Sequence, residues 1–481
     1  MSAKGKAPTT QGVESASTLK IQNHSEILEA VINNAKKLNW KKLANVGEED
    51  KLKRMDYTVV TALELKKAID EKHGIYTTLK DVFIYNGCYW SKINKETFKK
   101  LLGRIVVRYG MSKIEGEYYQ NQQELLTQVV ATCYNEIPDV DINVVNINLL
   151  NGTLEINKGI HRLKPFDKND YLHYQLSYDF NESADCPMWL KFLDEVLPEK
   201  KAQQVLAEYI GYLFIRNGSF LKIEKVLALI GGGSNGKGVV NEVVTAIVGK
   251  ENTSTYSLEQ ITDSTGYWVS EIENKLLNFP TESSSKLNVE VFKRIASGEP
   301  LSARPIREKP YTVTQYAKQI FSLNKSLQAK DTTHAHYRRY IILPFDRTFE
   351  DDEKDLGLSK RIIDNELSGI MNWILKGLAE LIKNKKFTES ESSKRALEDF
   401  KIDTDSVMSF IVDKNYYIID DKTKFGEVFD RYVQYCSEDK LNSVSKKTFG
   451  QRVVNIKIKG EKIQKKTVSN ARFLNVKTDD F

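Results

Sequence analysis

A glycine-rich loop at residues 231–238, with the sequence GGGSNGKG, constrains the fold more than any other feature of this chain. Its spacing matches G-x-x-x-x-G-K, in which glycines let the backbone curl until successive N–H groups point at phosphate oxygens. An apolar run precedes the loop and a helical pattern follows it, as a phosphate-binding loop requires. The sequence therefore predicts an α/β nucleotide-binding domain rather than a chance glycine turn.

The residues of this phosphate loop have separate predicted roles. Lys237 supplies a charge to the β- and γ-phosphates, and the amino end of the following helix adds its dipole. Gly238 stands where Ser or Thr normally contacts Mg²⁺, so water, phosphate oxygens and a carboxylate elsewhere must hold the metal. The predicted nucleotide-contacting residues are Gly231, Gly232, Gly233, Ser234, Asn235, Gly236, Lys237, Gly238 and Val239.

Short apolar runs predict the strands of one parallel sheet around this loop. They are residues 226–230, 275–279, 319–323 and 339–343. Glu282 follows the second strand, and we expect it to act as general base and metal ligand, although such a carboxylate can also be a surface residue. Asn324 ends the third strand, where it can contact the γ-phosphate or the attacking water, or simply cap a turn.

Two consecutive arginines, Arg338 and Arg339, precede the fourth predicted strand. They can be ordinary surface charge. In a ring of subunits, however, an arginine at this edge can reach the γ-phosphate of the neighbouring subunit as an arginine finger. The sequence does not distinguish which of the two would do so.

Charge is concentrated near the end of the chain. The formal net charge is +6, but residues 443–477 contain ten Lys or Arg and one acid, so this segment carries +9 and the remainder −3. Such a block is typical of polyanion binding, or of a solvated lysine-rich surface. Four scattered cysteines without a CxxC pair favour a reducing cytoplasm, and no apolar run is long enough for a membrane span.

The remaining patterns predict a multidomain α/β chain. Hairpin turns are expected at Asn86-Gly87 and Asn151-Gly152, and a helix that begins at Pro187 leads into a helical bundle. Two helical patterns followed by a strand pair give the end of the chain a winged-helix order. The predicted domains are a disordered tail at 1–20, an N-terminal α+β domain at 21–180, the helical bundle with the nucleotide-binding domain at 181–383, and a basic winged-helix domain at 394–481.

Several blocks in order resemble the superfamily 3 helicases, in the branch of phage, plasmid, pathogenicity-island and poxvirus primase-helicases. The resemblance covers residues 145–350 and rests on NGTLEI, the helical pair that begins at Cys186-Pro187 and ends GYLF, GGGSNGKG, LLNFPTE, FKRIASGEPLSARPIREKPY, FSLN and HYRRYIILPF. It implies a hexameric ring of AAA+ modules that uses ATP and Mg²⁺ to move 3′ to 5′ along single-stranded DNA. Gly238 agrees with the family, whereas Thr281 in place of a first acid departs from it.

The same resemblance implies which residues contact DNA. Lys293, Arg304 and a proline-bounded hairpin with Arg307 and Lys309 near its tip would face the channel, where cations can hold phosphates without reading bases. An ordinary basic surface hairpin is the alternative. In the C-terminal block the expected contacts are Lys447, Arg452 and Lys466, either to duplex origin DNA or to DNA held non-specifically near the ring.

These observations favour an ATP-dependent DNA helicase that replicates a phage, plasmid or mobile element. The alternative is a sequence-specific initiator that uses ATP as an assembly switch and leaves unwinding to a partner. A remodelling ATPase that never touches DNA fits the lysine-rich segments poorly. The region before residue 145 lacks the carboxylate-rich pattern of a primase, so we expect it to form a collar for the ring and a separate primase to act as partner.

Overall fold

The computed structural model describes residues 24–78, 81–135, 141, 143–281, 287–323, 334–468 and 471–479. The chain divides into two compact units. The first combines residues up to Val140 with Phe166–Tyr174, and the second combines Asp141–Pro165 with Gln175–Phe481. Residues 141–165, which the predicted boundary at 180 assigned to the N-terminal domain, therefore cluster with the second unit. Among the described residues, no helix is long and apolar enough to cross a membrane.

The first unit is an α+β structure, as expected from its sequence. Asn94 caps one of its long helices with hydrogen bonds from two backbone N–H groups, and Gly110 ends that helix in a left-handed conformation. Its elements are α1 (His24–Asn34), α2 (Trp40–Leu43), α3 (Arg54–Asp70), β1 (Gly74–Thr77), β2 (Val82–Tyr85), β3 (Trp90–Ile93), α4 (Lys95–Tyr109), α5 (Lys113–Glu117), α6 (Tyr119–Thr132) and the 3₁₀ turn Lys168–Asp170. The predicted reversal at Asn86-Gly87 joins β2 to β3, with Gly87 at φ +97°.

The second unit begins with an antiparallel sheet of β4 (Val144–Leu149), β5 (Gly152–Asn157) and β6 (Ile160–Lys164). Leu149 pairs with Gly152, so the turn lies one residue earlier than predicted. Glycine is needed at position 152 for strand pairing rather than for the turn, because a Cβ there would lie 2.7 Å from the Lys164 carbonyl oxygen on β6. The predicted helical pair follows as α7 (Pro187–Val196), with Pro187 in its first turn, and α8 (Lys200–Tyr212).

A five-stranded parallel sheet forms the centre of the second unit. Its strands are β7 (Val226–Ile230), β8 (Thr253–Ser254), β9 (Leu277–Asn278), β12 (Lys318–Leu323) and β13 (Tyr340–Pro344), in the spatial order β13–β7–β12–β9–β8. The four predicted strands are present. The sequence missed β8, because its two residues, Thr253 and Ser254, carry no apolar pattern. Leu323 and Pro344 both pair with Ile230, so three strands end together at one edge of the sheet.

Shorter elements connect these strands. They are α9 (Lys237–Val248), α10 (Leu258–Ile261), α11 (Tyr267–Glu271), α12 (Val289–Ala296), β10 (Leu301–Ala303), β11 (Tyr311–Val313) and α13 (His334–Tyr337), with a 3₁₀ turn at Lys250–Asn252. Strands β10 and β11 form the predicted hairpin. A helix of 27 residues, α14 (Leu358–Asn384), follows, and it packs against α7, α8 and α9.

The end of the chain has its own hydrophobic core, which includes Phe410, Tyr432, Phe449 and Leu474. After α15 (Glu391–Thr404) the elements are α16 (Ser406–Asp413), β14 (Tyr417–Lys424), α17 (Phe425–Glu438), α18 (Lys446–Val453), β15 (Lys457–Ile458), β16 (Glu461–Lys462), β17 (Lys465–Val468) and β18 (Ala471–Lys477). One sheet has the order β14–β18–β17, and β15 pairs with β16 as a separate hairpin that the sequence did not predict.

Candidate functional site

The phosphate loop lies at the edge of the parallel sheet where three strands end. It follows β7 directly, between the ends of β12 and β13. The Gly231 N–H donates to the Leu323 carbonyl at 3.4 Å, and the Phe345 N–H donates to the Ile230 carbonyl at 2.7 Å. Both neighbouring strands therefore hold the start of the loop in place.

The buried side chain of Asn235 braces the loop from inside. Its amide donates to the Phe345 carbonyl at 3.2 Å. A Cβ on Gly231 would lie 2.0 Å from the Asn235 amide nitrogen and 2.5 Å from the Phe345 carbonyl oxygen, so only glycine fits there. Gly233 and Gly236 have φ of +111° and +86°, and Ser234 has φ of +44°. This backbone is the curled form that the glycine spacing predicted.

Lys237, the first residue of α9, points back into the loop. Its Nζ donates to the Gly231 carbonyl at 2.7 Å and to Asn235 Oδ1 at 3.1 Å. Burial lowers the pKa of this amine. The ammonium group thus lies against the loop, where a phosphate would bring compensating charge.

Gly238 faces open space. Apart from its chain neighbours and the backbone of its own helix, no atom lies within 4 Å of the position that a Cβ would occupy, and its φ is not positive. A hydroxyl-bearing side chain would fit there, so packing does not explain the glycine.

A cavity of about 760 Å³ adjoins the loop on the side of α7. Apolar walls come from Met188 and Phe192 on α7 and from Phe349 and Leu356, which lie between β13 and α14. Ser234, Asn235, Gly236, Gly238 and Val239 form its inner end. Charged side chains, among them Lys191, Glu242 and Arg361, complete the lining. A cavity with apolar walls and polar groups next to a phosphate loop has the chemistry to hold a nucleobase.

The segment from 345 to 357, here called the strap, closes one side of this cavity. The Phe349 N–H donates to the Ser234 carbonyl at 2.8 Å. Arg347 lies over the Phe349 ring, 4.4 Å from its centre, and pairs with Glu195 and Glu353 at 3.3 Å each. The strap therefore ties the phosphate loop to α7 by one backbone bond and a charge network.

The strand that precedes the predicted general base is held against α9. The Asn241 side chain, one turn after Lys237, donates to the Phe279 carbonyl at 3.3 Å. Asn278 bonds to Ser254 and Tyr256 on one side and to Gln319 on the other, at 2.8–3.0 Å. The two predicted residues that come next to these strand ends, Glu282 and Asn324, lie outside the described residues.

The two arginines before β13 differ in their surroundings. Arg338 is about half exposed and donates to Glu224 at 2.7 Å. Arg339 is only 8% exposed and lies 3.4 Å from the Ser297 hydroxyl and 3.7 Å from Glu224. Both stand beside the amino end of β7, since the Val226 N–H donates to the Arg339 carbonyl. At 3.3 Å per strand residue, the phosphate loop of the same chain is about 20 Å away.

Three predicted DNA contacts share one hairpin. Arg304, Arg307 and Lys309 are exposed on the turn between β10 and β11, together with Ile306, which is 76% exposed. Arg307 has φ of +65°. Lys293 lies on α12, before the hairpin, and is half-buried.

The three expected contacts in the C-terminal block have different environments. Lys447 at the start of α18 and Lys466 on β17 are exposed. Arg452 is mostly buried and pairs with Asp405 at 3.3 Å, where Asp405 also caps α16. Arg452 therefore makes an ion pair within the protein, and its guanidinium could contact DNA only after a local rearrangement.

Two family models match parts of this chain. One, described as D5 N terminal like, matches residues 65–198. The other, a family of unknown function (DUF5906), matches residues 229–339, which include the phosphate loop and both arginines. Each covers less than a third of the chain.

Solved structures with similarity to this chain include two apo structures of the NrS-1 C-terminal region (305–718). The first has a TM-score of 0.45 and 12% identity over 87% of this chain and 99% of that one. A third, the A form of the same region, has a TM-score of 0.43 and 10% identity over 86% and 98% of the two chains. At these values the similarity does not assign a function.

Sequence reasoning missed several residues of this site. The strap and the cavity walls come from segments far apart in the chain, so no local pattern marks them. Glu224 precedes β7 without any distinctive spacing. Asn241 could have been found, because a polar residue four positions after the loop lysine lies on the same helix face.

Proposed function

We propose that this chain is an ATP-hydrolysing DNA motor of the superfamily 3 helicase type. The observation that carries the proposal is Lys237, which is hydrogen-bonded to Gly231 and Asn235 of the phosphate loop at the carboxyl edge of the parallel sheet, next to a cavity. The D5 N terminal like match supports the broader class, a replication protein of the phage type. The order β13–β7–β12–β9–β8 supports an AAA+ arrangement of the module.

In this proposal the loop amides and Lys237 hold the phosphates, and the cavity between α7 and the strap holds the base. When bound, Mg²⁺ neutralises charge on the phosphates that react. Glu282 is the proposed ligand and general base, aided by water because Gly238 has no hydroxyl. Asn241 positions the end of β9, from which Glu282 follows. Asn324 is proposed to contact the γ-phosphate.

The remaining elements support a ring, proposed as a hexamer. An arginine about 20 Å from its own phosphate loop can act only on the site of a neighbouring subunit. The exposed tip of the β10–β11 hairpin, with Arg304, Arg307 and Lys309, would face single-stranded DNA in the channel. Lys293 on α12 would add a further contact to the same DNA strand.

The C-terminal elements favour a role at a replication origin. The order α16, β14, α17, α18, β17, β18, with the sheet order β14–β18–β17, supports a winged-helix domain. We propose that Lys447 and Lys466 contact duplex DNA there. The same order of C-terminal elements is also compatible with the second candidate function, an initiator that uses ATP as an assembly switch while a partner unwinds the DNA. A separate primase is the expected partner in either case.

The deciding experiment is ATP hydrolysis by the full chain, with and without single-stranded DNA. We expect single-stranded DNA of any sequence to stimulate hydrolysis, and Lys237→Ala to reduce it at least about 100-fold. Lys250→Ala, an exposed lysine just after α9, is the matched control and should behave as wild type. Hydrolysis that depends on one duplex sequence would favour the initiator, and full activity of Lys237→Ala would overturn the proposal.

A further inference from the structure

The short hairpin β15–β16, residues 457–462 and here called the lysine hairpin, is an element that the predicted winged-helix order does not contain. Lys459 and Gly460 form its turn, with φ of +51° and +91°. Two consecutive positive φ values are typical of the tight turn that matches the twist of paired strands. Lysine is a poor choice at such a position, where Asn, Asp or Gly avoid the strain.

The hairpin register places two lysines face to face. Lys457 pairs directly with Lys462, and Ile458 pairs with Glu461, the only acid in the segment. Directly opposed residues project from the same face, so the two ammonium groups share one side while Glu461 projects from the other. Like charges in this arrangement destabilise a hairpin. No ion pair involves Lys457, Lys459 or Lys462 within the described part of the chain, and all three are exposed.

The hairpin is nevertheless firmly anchored at its base. The Ile463 N–H donates to the Ile456 carbonyl at 3.1 Å, and both side chains are buried in the C-terminal core. Val453 at the end of α18 belongs to the same core. Lys465, on the strand that follows, lies over the Phe425 ring of α17 at 4.5 Å and beside Gly450 of α18. The opposed lysines are thus fixed relative to α18 and β17.

We propose that the lysine hairpin is a phosphate-binding arm for duplex DNA, in which Lys457 and Lys462 contact the sugar–phosphate backbone. A phosphate between or beside the two ammonium groups removes their repulsion and releases counterions from the DNA. The hairpin positions DNA without reading sequence, because lysines act as point charges and its isoleucines are directed to the core. A membrane surface fits less well, since no large apolar side chain of this hairpin is exposed.

This inference rests on the proposal that the C-terminal elements bind duplex DNA. It adds a contact site to α18 and to the β17–β18 wing, and it concerns residues outside the nucleotide site. Substitutions in the lysine hairpin should therefore leave ATP hydrolysis unaffected. The role of the hairpin and the proposed motor function can be tested separately.

The test measures binding of the full chain to a 30-base-pair duplex as a function of salt. The double variant Lys457→Gln/Lys462→Gln removes the opposed pair, and Lys385→Gln/Lys440→Gln removes two exposed lysines outside the basic segment. With about 0.9 counterions released per contact, the first variant should lower the salt slope by about 1.8 and weaken binding roughly 30-fold at 150 mM salt. The control should match wild type, and Lys457→Arg/Lys462→Arg should retain binding.

Thermal unfolding separates this role from a structural one. The Gln variant should melt at the same temperature as wild type or higher, because it loses a repulsive pair. Affinity and slope equal to those of the control would overturn the proposal, as would weaker binding accompanied by a lower melting temperature. ATP hydrolysis stimulated by single-stranded DNA should remain at the wild-type level in all variants. Absence of that activity in wild type would reject the motor, irrespective of the duplex result.

Discussion

Arg338 donates a hydrogen bond to Glu224 at 2.7 Å, while the next residue, Arg339, is almost fully buried beside Ser297. The sequence offered both as the arginine finger. The exposed guanidinium of Arg338 can leave its carboxylate and reach a neighbouring subunit, whereas Arg339 would first have to leave the protein interior. We infer that Arg338 is the finger and that Glu224 positions it.

Substitution of the two arginines should separate catalysis from stability. Arg338→Ala should leave ATP binding intact and reduce hydrolysis at least about 1000-fold, the lower end for an arginine finger. Arg339→Ala should lower the free energy of unfolding by roughly 2 kcal/mol, because the buried Arg339 side chain loses its packing and its contact with Ser297. ATPase assays and urea denaturation of both variants provide the measurement.

A mixing experiment tests whether the finger acts between subunits. Arg338→Ala and Lys237→Ala subunits are each inactive, but a mixed ring contains sites with an intact loop and an intact finger. Partial recovery of hydrolysis is expected. Recovery that is absent at every mixing ratio would contradict a shared site.

Two adjacent glycines of the phosphate loop should respond differently to the same change. A Cβ on Gly231 would collide with Asn235 and the Phe345 carbonyl, whereas a Cβ on Gly232 meets no atom within 4 Å. Gly231→Ala should therefore weaken ATP binding at least about 10-fold, and more than Gly232→Ala does. Fluorescent-nucleotide titration measures both, and equal affinities would show that the close contacts around Gly231 are unimportant.

The open space at Gly238 predicts a gain of metal affinity. Gly238→Ser would place a hydroxyl at the first turn of α9 without collision, and serine is a better helix residue than glycine. Half-maximal ATPase should then need less Mg²⁺ than wild type, with an unchanged or slightly higher melting temperature. A magnesium titration of hydrolysis tests this. An unchanged midpoint would mean that the metal is already fully held by other ligands.

The stability of the second unit should depend on pH through Lys318. This largely buried lysine at the start of β12 donates to the Ile215 carbonyl and lies over the Tyr212 ring, and burial lowers its pKa to about 7. An unfolded lysine titrates near about 10.4, so between these values the unfolded chain binds a proton that the folded chain lacks. The free energy of unfolding should therefore rise with pH by up to about 1.4 kcal/mol per unit in this window.

A methionine substitution isolates that contribution. Lys318→Met should be more stable than wild type near pH 7, and the difference should shrink as pH rises to 9. The exposed Lys385→Met is the control and should follow the wild-type dependence. Urea denaturation at both pH values gives the comparison, and parallel curves for Lys318→Met and wild type would refute a neutral buried lysine.

Elements with local signals could be predicted from the amino-acid sequence. Glycine spacing placed the phosphate loop, apolar runs placed β7, β9, β12 and β13, and Pro187 marked the start of α7. These predictions held because backbone freedom, helix capping and strand burial depend on a few neighbouring residues. The fold class of the second unit followed from them.

Features that depend on residues far apart in the chain could be established only from the folded structure. Arg338 and Arg339 are adjacent, so their local sequence does not distinguish them. The residues that pack beside β13 determine which of the two is exposed. Strand β8 exists because β9 pairs with it, and Gly152 is needed by β6 rather than by a turn. The cavity wall joins Phe192 to Phe349, and the register alone brings Lys457 opposite Lys462. Burial and register arise from contacts across the whole chain, and no short stretch of sequence records them.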